Sequence, residues 1–234
     1  MTVRISDEFL KKIPLFQGLT LEELNKIKSL LHTKTYSGDS NIIIAQQPGE
    51  TVFFVVEGAV KIQSEQADGT FVILSIMGPG EMVGEMSLLD NECRSATVIT
   101  LEPTTICWLS RANFWQCLQS MPAMNTNLIQ IITRRLRQAN ERAHLLATQD
   151  VYGRVAQQLL VFARDYGALN KSGATSIPFR ITQTDLAGMI GATRVRVNQV
   201  LSTYRQLEFV TVDPNFRITI KDPEALSKRC GLSV

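Results

Sequence analysis

The segment GEMSLLDNECRSAT, from Gly84 to Thr97, is the most informative part of the chain. A Gly-Glu pair at the start of a short helix presents free backbone N–H groups and the positive end of a dipole to an anion. Arg94 and Ser95, nine and ten residues after Glu85, are placed to return there with a charge-assisted fork and a hydroxyl donor. Glu85 itself suits a ribose hydroxyl rather than a phosphate. The segment predicts a sugar-phosphate site, and a surface ion pair between Arg94 and Glu85 is the alternative.

Short β-rich runs surround this segment between Thr33 and Leu109. Gly and Pro residues separate the runs, and regularly spaced short strands of this kind predict an antiparallel sandwich or jelly roll. Asp68-Gly69 predicts a two-residue hairpin turn. The predicted strands are Asn41–Ala45, Val52–Glu57, Ala59–Ser64, Phe71–Met77, Ala96–Thr100 and Thr105–Leu109.

Helical patterns lie on both sides of the β-rich region. Thr20 as N-cap, with Glu23 three residues later, predicts a helix over Leu21–Leu31. Ala123–Thr148 contains no Gly or Pro and has a heptad pattern of apolar and small residues. This face either packs on the β-rich region or pairs with a second copy of the chain, and the pattern alone does not decide. The heptad residues are Ile129, Ile132, Leu136, Ala139, Ala143 and Leu146.

The pattern changes again after the long helix. The residues Asp150-Val151-Tyr152-Gly153 interrupt it and form a candidate hinge. A new helix is predicted over Arg154–Tyr166, followed by a small polar loop over Gly167–Ser176. A pair of strands, Val210–Val212 and Arg217–Ile220, closes the chain.

A second motif, ITQTDLAGMIGATRVRVNQVL, occupies residues 181–201. Thr182 is suited to cap a first helix, Gly191 permits a sharp turn, and Thr193 is suited to cap a second helix. This order of residues is typical of a helix-turn-helix. The local basic charge favours that interpretation over a structural helical hairpin that touches no DNA.

In a helix-turn-helix, the N-terminal part of the second helix enters the major groove. Arg194 is the candidate for a bidentate contact to guanine, and Val195 for contact with a thymine methyl group. Asn198 or Gln199 would read an adenine or hold a phosphate, whereas arginines outside this turn, Arg205 and Arg217 among them, are candidates for backbone contacts. The predicted DNA-binding residues are Arg180, Thr182, Thr193, Arg194, Val195, Arg196, Asn198 and Gln199.

The net charge of +2 conceals an uneven distribution. Residues 1–132 carry 9 Lys and Arg against 14 Asp and Glu, while residues 133–234 carry 15 against 8, so the two parts are at about −5 and +7. This asymmetry predicts that the C-terminal part meets a polyanion.

Composition excludes several classes of protein. No apolar run approaches the roughly 20 residues of a membrane span, and the first residues lack a signal-peptide core, so we expect a soluble cytoplasmic protein without membrane contact. The four cysteines and two histidines show no ligand spacing, so we expect no metal, iron–sulfur or haem site.

Taken in order, these features resemble the CRP/FNR family of bacterial transcription factors over roughly residues 14–222. The segment 84–97 is similar to the phosphate-binding cassette of cyclic-nucleotide-binding domains. Within the family, the chain resembles the cAMP receptor protein branch, because the cassette is intact and an FNR-type cysteine cluster is absent. The resemblance implies an α+β fold: an antiparallel β-roll that binds a cyclic nucleotide (1–121), a long dimerisation helix and hinge (122–150), and a winged helix-turn-helix (151–234).

The resemblance also implies a homodimer that binds palindromic double-stranded DNA, with one ligand, cAMP, in each subunit. Arg135 would bridge to the cassette glutamate, and Asn140 would meet the adenine. RNA polymerase is a further implied partner, at the loop 167–176. The implied ligand-binding residues are Leu74, Ser75, Gly84, Glu85, Met86, Arg94, Ser95, Arg135 and Asn140.

The chain departs from the branch at two places. Ala139 stands where a polar side chain would contact the adenine, which leaves a regulator that works without cAMP, or senses another nucleotide, as the alternative. The second helix of the 181–201 motif lacks the acidic residue of the cAMP receptor protein. Its Arg194-Val195 pair is similar to the cyanobacterial nitrogen regulators, which favour a half-site beginning with G-T. An enzyme with a regulatory cyclic-nucleotide domain is disfavoured, because the roughly 80 residues after the hinge contain no catalytic constellation.

Overall fold

The structure, a computed structural model, describes residues 5–66, 69–170 and 173–230. The chain divides into two compact units. The first unit falls within Met1–Glu65 and Leu74–Gln138, and the second within Gln66–Ile73 and Ala139–Val234.

The first unit begins with short helices that pack ahead of the sheets. They are α1 (Asp7–Lys12), a 3-10 turn (Pro14–Phe16) and α2 (Leu21–Leu30). The predicted capping box starts α2: Thr20 Oγ1 accepts from the Glu23 amide at 3.2 Å, and Glu23 Oε2 accepts from the Thr20 amide at 2.8 Å. The prediction of this helix is confirmed to within one residue.

Eight strands of the first β-rich region form two four-stranded sheets. The strands are β1 (His32–Tyr36), β2 (Asn41–Ile43), β3 (Thr51–Glu57), β4 (Val60–Glu65), β5 (Phe71–Met77), β6 (Met82–Val83), β7 (Thr97–Thr100) and β8 (Thr104–Ser110). The sheet orders are β1-β8-β3-β6 and β2-β7-β4-β5. The registers that the structure describes are antiparallel. The predicted β-roll is therefore confirmed, although β1 and β6 were not predicted. The predicted turn at Asp68 lies outside the described residues.

The central strand β3 is buried on both faces and organises the core. Val52 and Phe54 point into a cluster that the helices cover, and the Phe54 ring lies 5.0 Å from that of Phe16. Phe53 and Val55 point the opposite way, into a second cluster between the two sheets. Because strand side chains alternate with a period of two, one strand supports both layers.

Three helices complete the description of the first region: α3 (Met86–Leu89), α4 (Arg111–Ser120) and the long α5 (Pro122–Thr148). All six heptad residues of α5 are exposed in the single chain, Ile129 to 66% and Leu136 to 60%. The idea that this face packs on the β-roll is therefore wrong. Among the described residues, no helix combines the length and the apolar character that crossing a membrane requires.

The second unit contains the helix-turn-helix. Asp150 caps α6 (Val151–Tyr166) by accepting from the Gly153 amide at 2.8 Å. The helix therefore begins three residues before the predicted Arg154. The other elements are β9 (Ala168–Leu169), β10 (Thr175–Ser176), α7 (Gln183–Ile190), α8 (Arg194–Gln206), β11 (Val210–Val212), β12 (Ile218–Ile220) and α9 (Pro223–Arg229).

The strands of this unit form one sheet in the order β11-β12-β10-β9. The segment 167–176, expected to be a loop, thus contributes two short strands. The turn between α7 and α8 is as predicted: Gly191 lies in the left-handed region, with φ of +62°, and Thr193 Oγ1 accepts from the Arg196 amide at 3.2 Å. Buried Tyr204 donates its hydroxyl to the Tyr152 carbonyl at 2.8 Å, and burial raises the pKa of Tyr204.

Candidate phosphate site and nucleic-acid interface

The segment 84–97 folds back on itself around Gly84. This glycine has a φ of +81°, and a Cβ on it would lie 2.6 Å from Arg94 Nη1 and 2.8 Å from Ile43 Cδ1. Arg94 Nη1 donates to the Gly84 carbonyl at 2.5 Å. The predicted return of Arg94 to the start of the segment is confirmed, and the close approach explains why glycine is required there.

The guanidinium of Arg94 is buried and is bonded to the protein's own acceptors. Besides Gly84, Nη1 donates to Ser87 Oγ at 2.9 Å, and Nη2 donates to the Thr51 carbonyl at 2.6 Å. Burial lowers the pKa of Arg94, an effect that nearby Glu85 opposes, but a guanidinium stays protonated. Arg94 is thus a charged link between α3 and the start of β3.

Glu85 pairs with α5 rather than with Arg94. Its Oε1 lies 2.6 Å from Arg135 Nη1, and its side chain is 6% exposed. Arg135 Nη2 donates to the Met82 carbonyl and lies 3.6 Å from Glu81 Oε2. The structure therefore has the Arg135–Glu85 contact that the resemblance implies, and the alternative of a surface pair between Arg94 and Glu85 is wrong.

The other predicted ligand residues lie in more open positions. Ser95 Oγ is 3.8 Å from the sulfur of Met86, whose side chain is exposed. Leu74 is exposed on β5, and its neighbour Ser75 is half-buried. Asn140 is exposed on α5, five residues after Arg135.

A pocket of about 220 Å³ adjoins Arg94. Neither Leu74 nor Ser75 is among its lining residues, and the sequence had indicated only Arg94. The lining residues are Asn41, Ile42, Ile43, Ile44, Gln47, Pro48, Glu50, Thr51, Phe53 and Arg94.

Sequence reasoning missed Arg111, which braces the cassette. Its Nη2 donates to the carbonyls of Ser87 at 2.7 Å and Gly49 at 2.9 Å, and its Nη1 donates to Asn91 Oδ1 at 2.6 Å. Nε lies 3.7 Å from Glu50. Arg111 is the first residue of α4, a position where the helix dipole disfavours a cation. An arginine at this position is the sequence signal that could have indicated a further contact of its side chain.

The exposed face of α8 carries most of the predicted DNA contacts. Arg194, Val195, Asn198 and Gln199 are exposed, Val195 to 68%. The opposite face is buried in the unit and consists of Val197, Val200, Leu201 and Tyr204.

Several predicted contacts are held by neighbouring side chains. Asn198 Oδ1 accepts from Gln183 Nε2 at 2.9 Å, which ties α8 to α7. Arg196 Nη1 donates to Gln199 Oε1 at 3.1 Å. Half-buried Arg180 lies 5.7 Å from the centroid of the Phe216 ring. The side chains of Thr182 and Thr193 cap α7 and α8, and each accepts a hydrogen bond from a backbone amide in the first turn of its helix.

The cysteines do not form a metal site in the part of the chain that the structure describes, where no group of three or more His, Cys, Asp and Glu residues could hold an ion. Cys107, Cys117 and Cys230 are buried, and burial raises the pKa of Cys107 to about 12. Cys93, next to Arg94, is exposed.

Comparisons with known proteins match both regions. A cyclic nucleotide-binding domain matches residues 33–121, and a Crp-like helix-turn-helix domain matches residues 153–229. The chain is 31% identical over 206 residues to the cyclic AMP receptor protein of Thermus thermophilus, covering 88% of this chain and 91% of that one. It is 28% identical over 223 residues to the CRP-like cAMP-activated global transcriptional regulator of Mycobacterium tuberculosis, with coverages of 95% and 99%. FixK2 of Bradyrhizobium japonicum has a similar fold, with a TM-score of 0.76, 20% identity and coverages of 87% and 99%.

Replacing Arg111 tests its role as a brace. We expect Arg111→Ala to lower the free energy of unfolding by about 1–3 kcal/mol, because the Ser87 and Gly49 carbonyls lose a charged donor. Arg111→Lys, which keeps the charge but not the several donors of the planar guanidinium, should lower the free energy of unfolding by less. Denaturant unfolding measures both, and an alanine variant as stable as the parent would contradict this role.

Proposed function

Because the chain belongs to the CRP/FNR family of DNA-binding transcription regulators and has a cyclic-nucleotide-binding domain, we propose that it forms a homodimer. The affinity of this dimer for a palindromic operator is controlled by a cyclic nucleotide, and cAMP is the first candidate. The observation that carries the proposal is the exposed first turn of α8, capped by Thr193 after the left-handed Gly191. We assign residues 1–121 to ligand binding, 122–150 to dimerisation and 151–234 to DNA binding.

The exposed face of α5 supports the dimer. The helix has 27 residues and is therefore about 40 Å long. Its six heptad residues are exposed, and a continuous apolar stripe of this kind is typical of a protein interface. Ala139 and Ala143 allow the two helices to approach closely. A two-fold dimer then presents two copies of α8 to a palindrome whose half-sites are one helical turn, about 34–36 Å, or multiples of it apart.

The cassette supports a phosphate ligand. Arg94 lies beside the pocket with a buried positive charge, and its bonds to Thr51 and Ser87 are ones that a phosphate oxygen would replace. Glu85, held by Arg135, suits a ribose hydroxyl. Gly84, Met86 and Ser95 complete the proposed phosphate and ribose contacts.

The base is proposed to lie toward Leu74, Ser75 and Asn140. The relatives from Thermus thermophilus and Mycobacterium tuberculosis are named for cAMP, which supports the same ligand here. Ala139 contributes no side-chain hydrogen bond. This observation favours the second candidate, a regulator of the same family that works without cAMP or senses another nucleotide.

We propose a division of labour on DNA. Arg194 and Val195 read a half-site beginning with G-T, Asn198 and Gln199 contact a base or a phosphate, and Arg180 contacts phosphate. RNA polymerase is a proposed partner at the hairpin of β9 and β10, where Leu169 is 78% exposed.

A charge in the α5 seam should abolish the dimer. We expect Leu136→Asp to shift the protein from dimer to monomer and to weaken operator binding at least tenfold, because two carboxylates would face each other in an apolar seam. Gln130→Asp, which adds the same charge on the exposed opposite side of α5, is the matched control. Analytical ultracentrifugation measures the assembly, and a monomeric parent would contradict the dimer.

Selection of bound DNA from a random pool, with and without cAMP, tests the function as a whole. We expect a palindrome whose half-sites begin with G-T, enriched at lower protein concentration when cAMP is present. Arg194→Ala should lose about 1–3 kcal/mol of preference for guanine at one position of each half-site. Recovery of the same site regardless of cAMP would favour the second candidate, and recovery of no site would refute sequence-specific binding.

Position 139 tests the identity of the nucleotide. If cAMP is the ligand, Ala139→Ser should restore one hydrogen bond and tighten cAMP binding by about 0.5–1.5 kcal/mol. Asn140→Ala should weaken it by a similar amount. Calorimetry with cAMP, cGMP and a cyclic dinucleotide measures these changes, and a parent that binds cGMP or a dinucleotide more tightly than cAMP would contradict the assignment.

A further inference from the structure

Tyr152, the second residue of α6, lies where three helices of the second unit meet. The centroid of its ring is 5.3 Å from the guanidinium carbon of Arg196, in the first turn of α8, and 5.0 Å from that of Arg229, the last residue of α9. The Tyr204 hydroxyl holds the Tyr152 carbonyl, and the two rings meet nearly edge to face at 6.0 Å. The ring is therefore fixed, and both cations lie against it.

The two groups that lie against the face of this ring are both cations. Arg196 and Arg229 are exposed, and their common neighbour places the two cations within about 10 Å, which is about one Debye length at 0.1 M salt. Among the described residues, neither guanidinium forms an ion pair with a carboxylate. The carboxylate of Asp150 caps α6 by accepting from the Gly153 amide, and in the described part of the chain it forms an ion pair with neither arginine. Two repelling cations, oriented by an aromatic ring and open to solvent, favour an anion between or beside them.

We propose that Arg196 and Arg229, positioned by Tyr152, bind a backbone phosphate of the DNA strand beside α8. This inference rests on the proposed DNA binding and assigns a contact to α9, which the helix-turn-helix motif does not include. Arg196 then contributes affinity without sequence readout, although it stands two residues from the base-reading Arg194.

The geometry of α8 supports this assignment. Position 196 lies at the side of the exposed face, toward Tyr152, while Val195 and Gln199 point outward. A guanidinium that stacks on Tyr152 and donates to Gln199 is held sideways, so it is directed at the edge of a groove rather than at its floor. Stacking also reduces the rotamer freedom that an arginine loses on binding, and this preorganisation strengthens a phosphate contact.

Salt dependence separates a phosphate contact from a base contact. We measure binding to the duplex recovered by selection and to a scrambled duplex. Arg196→Ala should weaken binding about fivefold to tenfold, and by the same factor on both duplexes. Arg229→Ala should do the same. The slope of log K against log salt should become shallower by about 0.9 for each phosphate that the variant no longer neutralises. Lys228→Ala, which removes a neighbouring exposed charge on α9, is the control and should leave the slope unchanged.

Tyr152 is tested as a positioning residue. Tyr152→Phe keeps the ring and should bind as the parent does, whereas Tyr152→Leu should weaken binding to both duplexes although both arginines are still present. Thermal unfolding of each variant identifies any loss of fold. The proposal is overturned if Arg229→Ala behaves as Lys228→Ala does, or if Arg196→Ala changes the ratio of affinities for the two duplexes. A parent that binds neither duplex would instead refute the proposed function.

Discussion

The cassette, residues 84–97, depends on the hydrogen bonds that the buried guanidinium of Arg94 donates. Removing a charge from water is unfavourable unless hydrogen bonds replace those to water, and both terminal nitrogens of Arg94 have acceptors, on Gly84, Ser87 and Thr51. These bonds join the cassette to the start of β3, the strand that supports both core layers. Gly49 belongs to the same constraint, because a Cβ there would lie 2.0 Å from Ser87 Oγ.

This constraint has a consequence for regulation. A ligand phosphate bound as proposed would compete with Gly84, Ser87 and Thr51 for Arg94, so its binding would change the contacts of the cassette. In the proposed function, Glu85 would transmit such a change to α5, because it is paired with Arg135, one residue before Leu136 of the exposed seam. A ligand shifts an equilibrium only by its differential affinity for two states, and the exchange of Arg94 partners is a physical source of that difference.

Local signals predicted the elements whose cause is local. The capping box at Thr20, the left-handed Gly191 and the Thr193 cap each act within four residues, and each is found in the structure. Strand β1 has no apolar run: its residues, HTKTY, are mostly polar, and they are exposed or half-buried. Strand β6 has only two residues. Both exist through pairing with distant strands. Arg111, the pocket lining and the Arg196–Tyr152 contact were missed for the same reason, since each joins residues far apart in sequence.

The hydrogen bonds on α8 also limit how the chain reads DNA. A bidentate contact to adenine requires the amide of Asn or Gln to donate and to accept. The Asn198 oxygen already accepts from Gln183, and the Gln199 oxygen already accepts from Arg196. Their amide NH₂ groups are then the better-placed contacts, and these suit acceptors such as guanine, thymine O4 or phosphate. In the proposed mode of DNA binding, with Arg196 turned toward Tyr152, Arg194 and Val195 would carry most of the direct readout. Selectivity would then come largely from two short half-sites held at a fixed spacing by the dimer.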